Sequence, residues 1–393
     1  MRISSGVREG VEWMRAVLQH EVDTRKPTWT AAVSVVTLLS ISGVVVTGSP
    51  AAANAKPPGS VLSSGAASLP SELAPLAAGK RIEYVTTDVR GASITATGLV
   101  LTPKKNKKNK TVVWGHGTTG LADKCAPSNH QDVFWPEARA AIAELLKRGW
   151  TVAAPDYPGL GTPAAHPYLV GGSEGRSMID SVKAARNLDS GLSVQYVLDG
   201  HSQGGQGALF GGELAPSYDG PLVLRGVAAI APASNVDLLA PEIPGTPAQG
   251  YLVMALYGLN AVEPGFNPLS VLADPAKQRI PVLQSSCLYP ILDAYDSLTK
   301  TELLVGGALP QSVIDKLALY DNPAQSAPSA PILVVQGTAD EAVPYTVTAQ
   351  VLIPQLSAYH QPVQYVEIAG ASHDGAVFAS VKTVANWIAA RFS

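Results

Sequence analysis

From residue 81 onward, short β-rich runs alternate with segments of helical period, and few folds accept that pattern. Arg81 to Asp88 and Ser93 to Leu101 read as strands, and Pro103 closes the second. Thr111 to Trp114, Leu222 to Ala231 and Pro331 to Val335 follow as apolar strands, and Trp150 to Ala154, Val194 to Leu198 and Val363 to Ile368 as further strands. Glu137 to Arg148 sets Ala138, Ala141, Ile142 and Leu145 on one helical face; Arg176 to Leu188 is amphipathic, and Gly375 to Phe392 is the closing helix. Strands joined through helices run parallel, and a parallel sheet is covered on both faces. The expectation is an α/β fold with a mostly parallel central sheet. With 46% hydrophobic and 15% charged residues, the chain has the apolar surface for such a core.

The alternation breaks between Pro232 and Ala330. A hundred residues inside a compact domain need their own structure or function, so 232–330 is expected to be an inserted cap. Residues 80–231 and 331–393 are then the two parts of one core. Before them, 56–79 are rich in Ala, Pro, Ser and Gly and read as a linker or N-terminal arm. Ala31 to Val46 is an uncharged apolar run of sixteen, preceded by Arg25 and Lys26 and followed by Ala53-Asn54-Ala55. That order reads as a signal peptide over 1–55, cleaved after Ala55, and so as a secreted or cell-envelope protein. A start at Met14 and an uncleaved anchor are the alternatives. In an exported chain the only two cysteines, Cys125 and Cys287, are candidates to pair; the alternative is two buried thiols.

The pattern G-x-S-x-G occurs twice. A nucleophile elbow needs a strand running into the serine, a helix starting behind it and small flanking residues. Ser202 in Gly200-His201-Ser202-Gln203-Gly204 meets all three, following Val194 to Leu198. Ser173 in Gly171-Gly172-Ser173-Glu174-Gly175 opens a helix after a loop and reads as its N-cap. A serine needs a base. Of seven histidines, His373 alone sits past the last strand and before the last helix, in Gly370-Ala371-Ser372-His373-Asp374-Gly375. Asp340, after the strand Pro331 to Val335, is the expected carboxylate, with Glu341 as the fallback. Asp374 reads as solvated and Asp156 as a turn residue. Negative charge on the attacked carbonyl needs waiting N–H donors. The amides of Gln203 and of Thr118, in the loop Gly115-His116-Gly117-Thr118-Thr119-Gly120, are the candidates.

These motifs, with Cys125-Ala126-Pro127-Ser128 and Asp156-Tyr157-Pro158-Gly159-Leu160-Gly161, resemble the α/β-hydrolase superfamily over residues 81 to 393. More narrowly they resemble the secretory lipase family of fungi and actinobacteria. The resemblance implies an α/β-hydrolase fold with a lid, a disulfide-bearing secreted enzyme, and hydrolysis of acyl esters including triacylglycerols.

A net charge of −3 gives no basic field for nucleic acid. No H-E-x-x-H, P-loop or dinucleotide fingerprint occurs, so no metal or cofactor is expected. The five lysines of Lys104 to Lys110 read as a solvated turn. Tyr251, Leu252, Met254, Leu256 and Tyr257 in the cap either line an acyl tunnel, face a lipid surface, or form the cap's own core. A peptidase, thioesterase or acyltransferase would use the same serine machinery, and a non-catalytic binding protein is the alternative from another class. The expected partner is a small-molecule or lipid ester.

Overall fold

The computed structural model describes residues 56–393; the expected signal peptide, residues 1–55, lies outside them. The described strands are β1 (Val61–Ala67), β2 (Ala77–Thr87), β3 (Ser93–Pro103), β4 (Thr111–Gly115), β5 (Thr151–Pro155), β6 (Gln195–His201), β7 (Val223–Ile230), β8 (Ile332–Gly337) and β9 (Val363–Ile368). They form one sheet in the order β1-β2-β3-β5-β4-β6-β7-β8-β9. The first four in that order pair antiparallel, and from β5 onward every pairing is parallel.

The sequence reading of 56–79 needs correction. It is no loose arm: Val61–Ala67 is an edge strand on β2, and β2 itself begins at Ala77. The Lys104 to Lys110 turn is exposed through Asn109, and Lys107 pairs with Asp189.

Period-two alternation sorts the strand residues onto two apolar layers. Val113 and Leu198 face one layer, which includes Met178, Ile179, Val182, Ala208 and Leu209 from the helices Gly171–Leu188 and Gln203–Tyr218. Val112, Trp114 and Val197 face the other, which includes Ile142, Leu145, Val384 and Ile388 from the helices Pro136–Lys147 and His373–Arg391. Full burial of each Val, Leu, Ile or Met among them is worth about 1.5–3 kcal/mol.

Between β7 and β8 the chain forms short helices around the apolar helix Gln249–Val262, with an apolar cluster of its own. Leu252, Met254 and Leu256 are buried in that cluster, and Tyr251 and Tyr257 pack on it partly buried. Leu252, Met254 and Leu256 thus belong to the segment's own core, one of the readings open for them.

Candidate active site

Four loops at the carboxyl ends of the parallel strands hold the predicted residues, where open α/β sheets form their clefts. Thr118 follows β4, Ser202 follows β6, Asp340 follows β8 and His373 follows β9.

Ser202 joins β6 to the helix Gln203–Tyr218 with φ 57° and ψ −118°. That is a sparsely populated conformation for a residue with a Cβ and costs about 1–3 kcal/mol. Ser202 N donates to Ile230 O at 2.9 Å, Gln206 N to Ser202 O at 3.0 Å, and Ala233 N to Ser202 O at 3.2 Å. The glycines two residues either side are steric requirements. A Cβ on Gly200 would lie 2.2 Å from Gly204 O, and one on Gly204 would lie 2.1 Å from Gly115 O.

The other G-x-S-x-G differs from expectation. Ser173 is no N-cap: Val170 holds that position, and Ser173 Oγ is buried inside the first turn without a hydrogen bond among the described residues. Its glycines serve helix packing. A Cβ on Gly171 would meet the Phe210 ring at 1.9 Å, and one on Gly175 would meet Gly211 N at 2.8 Å.

His373 and Asp340 are brought together. His373 Nδ1 lies 2.8 Å from Asp340 Oδ2, so the ring donates there when that nitrogen carries the proton. The carboxylate is held from several sides: Ala342 N and Val343 N donate to Oδ1 at 2.9 Å each, and Gln336 Nε2 donates to Oδ2 at 2.8 Å. Glu341, the fallback, is exposed. The two loops are joined by Ala339 N donating to Ala371 O at 3.0 Å and Gly370 N donating to Thr338 Oγ1 at 2.8 Å. Gly337 allows that approach, since a Cβ there would sit 2.3 Å from Ala371 O. Among the described residues Ser202 and His373 share no hydrogen bond. His201, beside the serine, packs against His373 with ring centroids 4.5 Å apart and the rings tilted by 45°.

Thr118 N and Gln203 N donate to no other group among the described residues, and Gln203 N is one of the orphan amides of its helix. The Thr118 hydroxyl is engaged with Tyr168 Oη at 2.7 Å, and Trp135 Nε1 donates to Thr118 O at 3.1 Å. Cys125 and Cys287 are disulfide-bonded, so the buried-thiol alternative falls. The bridge lies against Gly120, and Leu288 N donates to Thr119 O at 2.8 Å. Asp156 keeps its expected structural part: it accepts from Thr97 Oγ1 at 2.6 Å and Ser128 N at 2.8 Å, and burial raises its pKa.

Sequence reasoning missed the support under Gln203. Its Nε2 donates to Glu174 Oε1 at 2.7 Å and faces His166 Nε2 at 3.2 Å. His166 Nδ1 meets Pro158 O at 2.7 Å, so Nδ1 carries the proton and Nε2 accepts. Burial pushes His166 down to about 4 and Glu174 up to about 8, leaving both uncharged at neutral pH. Burial, aided by the neighbouring His373, holds His201 well below the usual histidine range.

A family model described as Secretory lipase matches residues 127–393, which include Ser202, Gln203, Asp340, His373 and Cys287 but not Thr118 or Cys125. The chain is 27% identical over 284 residues to the secreted triacylglycerol lipase LIP4 of Malassezia globosa, covering 67% of this chain and 61% of that one. It is 25% identical over 336 residues to LIP7 of the same organism, covering 79% and 70%. The chain thus spans about three fifths of the first relative's length. Among solved structures, Candida antarctica lipase A in its closed state superposes with TM-score 0.73 at 18% identity, over 86% of this chain and 82% of that one. The fold is the α/β-hydrolase fold, and with the family model matched over about two thirds of its length the chain belongs to the secretory lipase family.

Proposed function

We propose that the chain is an exported serine hydrolase of acyl esters, acting through Ser202, His373 and Asp340. The observation that carries this reading is the 2.8 Å His373–Asp340 bond at the sheet end where strained Ser202 stands. In the first step Ser202 Oγ attacks the ester carbonyl while its proton passes to His373 Nε2. Asp340 holds the Nδ1 proton and stabilises the imidazolium. The amides of Thr118 and Gln203 receive the developing oxyanion, each such donor being worth about 2.7–4 kcal/mol in known hydrolases. The intermediate collapses, the alkoxide leaves with the proton from His373, and Ser202 carries the acyl group. Water then repeats the sequence: it gives its proton to His373, attacks the acyl-enzyme and releases the acid as Ser202 recovers its proton.

The substrate class follows the family. Curated relatives are named triacylglycerol lipases and secreted, and the same chemistry on lipid esters, after export through 1–55, is proposed here. Residues 232–330 serve as the cap over the site. Leu269, Tyr289, Val305 and Leu319, all exposed within it, are the side chains proposed to meet a lipid surface.

The test is hydrolysis of p-nitrophenyl esters from acetate to palmitate by the protein and by Ser202→Ala. Long-chain turnover lost in the variant supports a lipase-like enzyme. Turnover that survives Ser202→Ala in a folded protein overturns the assignment.

A further inference from the structure

We propose that His201, His373 and Asp374 form an inhibitory site for a divalent transition-metal ion of the Zn²⁺ type. One ligand atom from each of the three lies within 4.8 Å of the others. His201 Nε2 is 3.9 Å from Asp374 Oδ1, and the two imidazole rings are tilted by 45°. Zinc bonds to nitrogen and oxygen are about 2.0–2.2 Å, so the atoms must close by about 1 Å. Asp374, whose side chain is 50% exposed, has the freedom for that movement and opens the site to solvent.

An independent observation points to a ligand. The His201 side chain is only 3% exposed, yet among the described residues neither ring nitrogen makes a well-formed hydrogen bond, the His373 backbone lying beside the ring. A buried polar group is ordinarily satisfied by protein, water or an ion. The mechanism gives His201 nothing to do, and a metal at Nε2 would supply the missing partner. His373 is oriented as metal-binding imidazoles are, with Nδ1 held by the Asp340 carboxylate and Nε2 left with the free lone pair. Two imidazoles and one carboxylate, with water as a fourth ligand, suit zinc-type ions better than magnesium or calcium. The site lies at the N-terminus of the His373–Arg391 helix, whose dipole opposes a cation. The carboxylates of Asp374 and Asp340 offset that field.

A metal on His373 Nε2 occupies the lone pair that must take the Ser202 proton, so binding blocks turnover. The inhibition rests on the catalytic reading of His373 given above; the metal binding does not. The test uses the full secreted chain hydrolysing p-nitrophenyl butyrate in Zn²⁺, with Mg²⁺ in parallel. The expected result is inhibition by Zn²⁺, reversed by a chelator, and none by Mg²⁺. Asp374→Asn should raise the half-inhibiting Zn²⁺ concentration about tenfold or more, while its uninhibited rate stays near that of the parent. His201→Asn should do the same to Zn²⁺ sensitivity. Equal sensitivity of the parent and both variants overturns the site. The Ser202→Ala protein separates the two readings: it should bind Co²⁺ with a visible tetrahedral absorption that Asp374→Asn weakens. No Co²⁺ absorption in that folded protein overturns the metal site, whatever the enzyme's activity. Co²⁺ absorption with parent turnover insensitive to Zn²⁺ overturns the inhibitory role.

Discussion

Removing the Cys125–Cys287 bridge should reduce stability and turnover together, because the bridge ties the Thr118 loop to the segment between β7 and β8. The two cysteines are 162 residues apart in sequence. Closing a loop of that length in the unfolded chain corresponds to about 5 kcal/mol on the chain-entropy model, and native bridges commonly deliver about 2–5 kcal/mol. The bridge also has a local effect. Gly120 takes φ 134° against it, and a Cβ on Gly120 would lie 2.9 Å from Cys125 Sγ. Thr118, whose amide is proposed to receive the oxyanion, lies two residues before Gly120. Alanine is the substitution of choice, since Cys125 is buried beside Ala126 and Leu160. Urea unfolding of Cys125→Ala/Cys287→Ala should show stability lower by about 3–5 kcal/mol. Its kcat in native buffer should fall by about tenfold, less than the 10²–10³ of losing one donor outright. A stability change below about 1 kcal/mol would refute the loop-closure estimate. A full stability loss with unchanged kcat would refute the link to the Thr118 loop.

Gly204→Ala should destabilise by about 3 kcal/mol or more, because the new methyl meets the rigid Gly115 carbonyl. Gly172→Ala, in ordinary contact with Val89 inside a helix, should be neutral or stabilise by up to about 1 kcal/mol; urea midpoints of the pair check this. Asp340→Asn should lower kcat by about 10³–10⁴ with the fold retained by circular dichroism, since the histidine then loses its charged orienting partner. Glu174 has a folded pKa of about 8 against an ordinary 4.5. Its contribution to stability is therefore complete below pH 4.5 and is lost as pH rises toward 8, at up to about 1.4 kcal/mol per pH unit. Glu174→Gln should flatten that loss when stability is compared at pH 5 and pH 8; equal slopes for both proteins would contradict the assignment.

Most of the parallel strands were legible because each is a short apolar run; β9 mixes apolar with polar residues. The elbow was legible because its chemistry demands glycine at fixed offsets from Ser202, and the structure shows the backbone atoms those glycines avoid. β1 was not legible: five of its seven residues, Val61–Ala67, are exposed, and it joins the sheet through backbone pairing that leaves no side-chain pattern. The second G-x-S-x-G misled locally because its glycines answer to Phe210 and Gly211 on another helix, a contact no local reading contains. The same holds for Glu174 and His166, whose part depends on reaching Gln203 across the fold. Tyr251, Leu252, Met254, Leu256 and Tyr257 were left open because a cap's core and an acyl tunnel use the same residue types; burial decided it for Leu252, Met254 and Leu256.

The claim that Ser202 is the activated nucleophile is tested most directly by covalent capture. A fluorophosphonate ester reacts with a serine only where a base takes its proton. Intact-mass analysis followed by peptide mapping of the labelled protein should find one adduct, on Ser202, absent from Ser202→Ala and slowed in Asp340→Asn. An adduct on Ser173, or a folded protein that takes no label, would contradict the account.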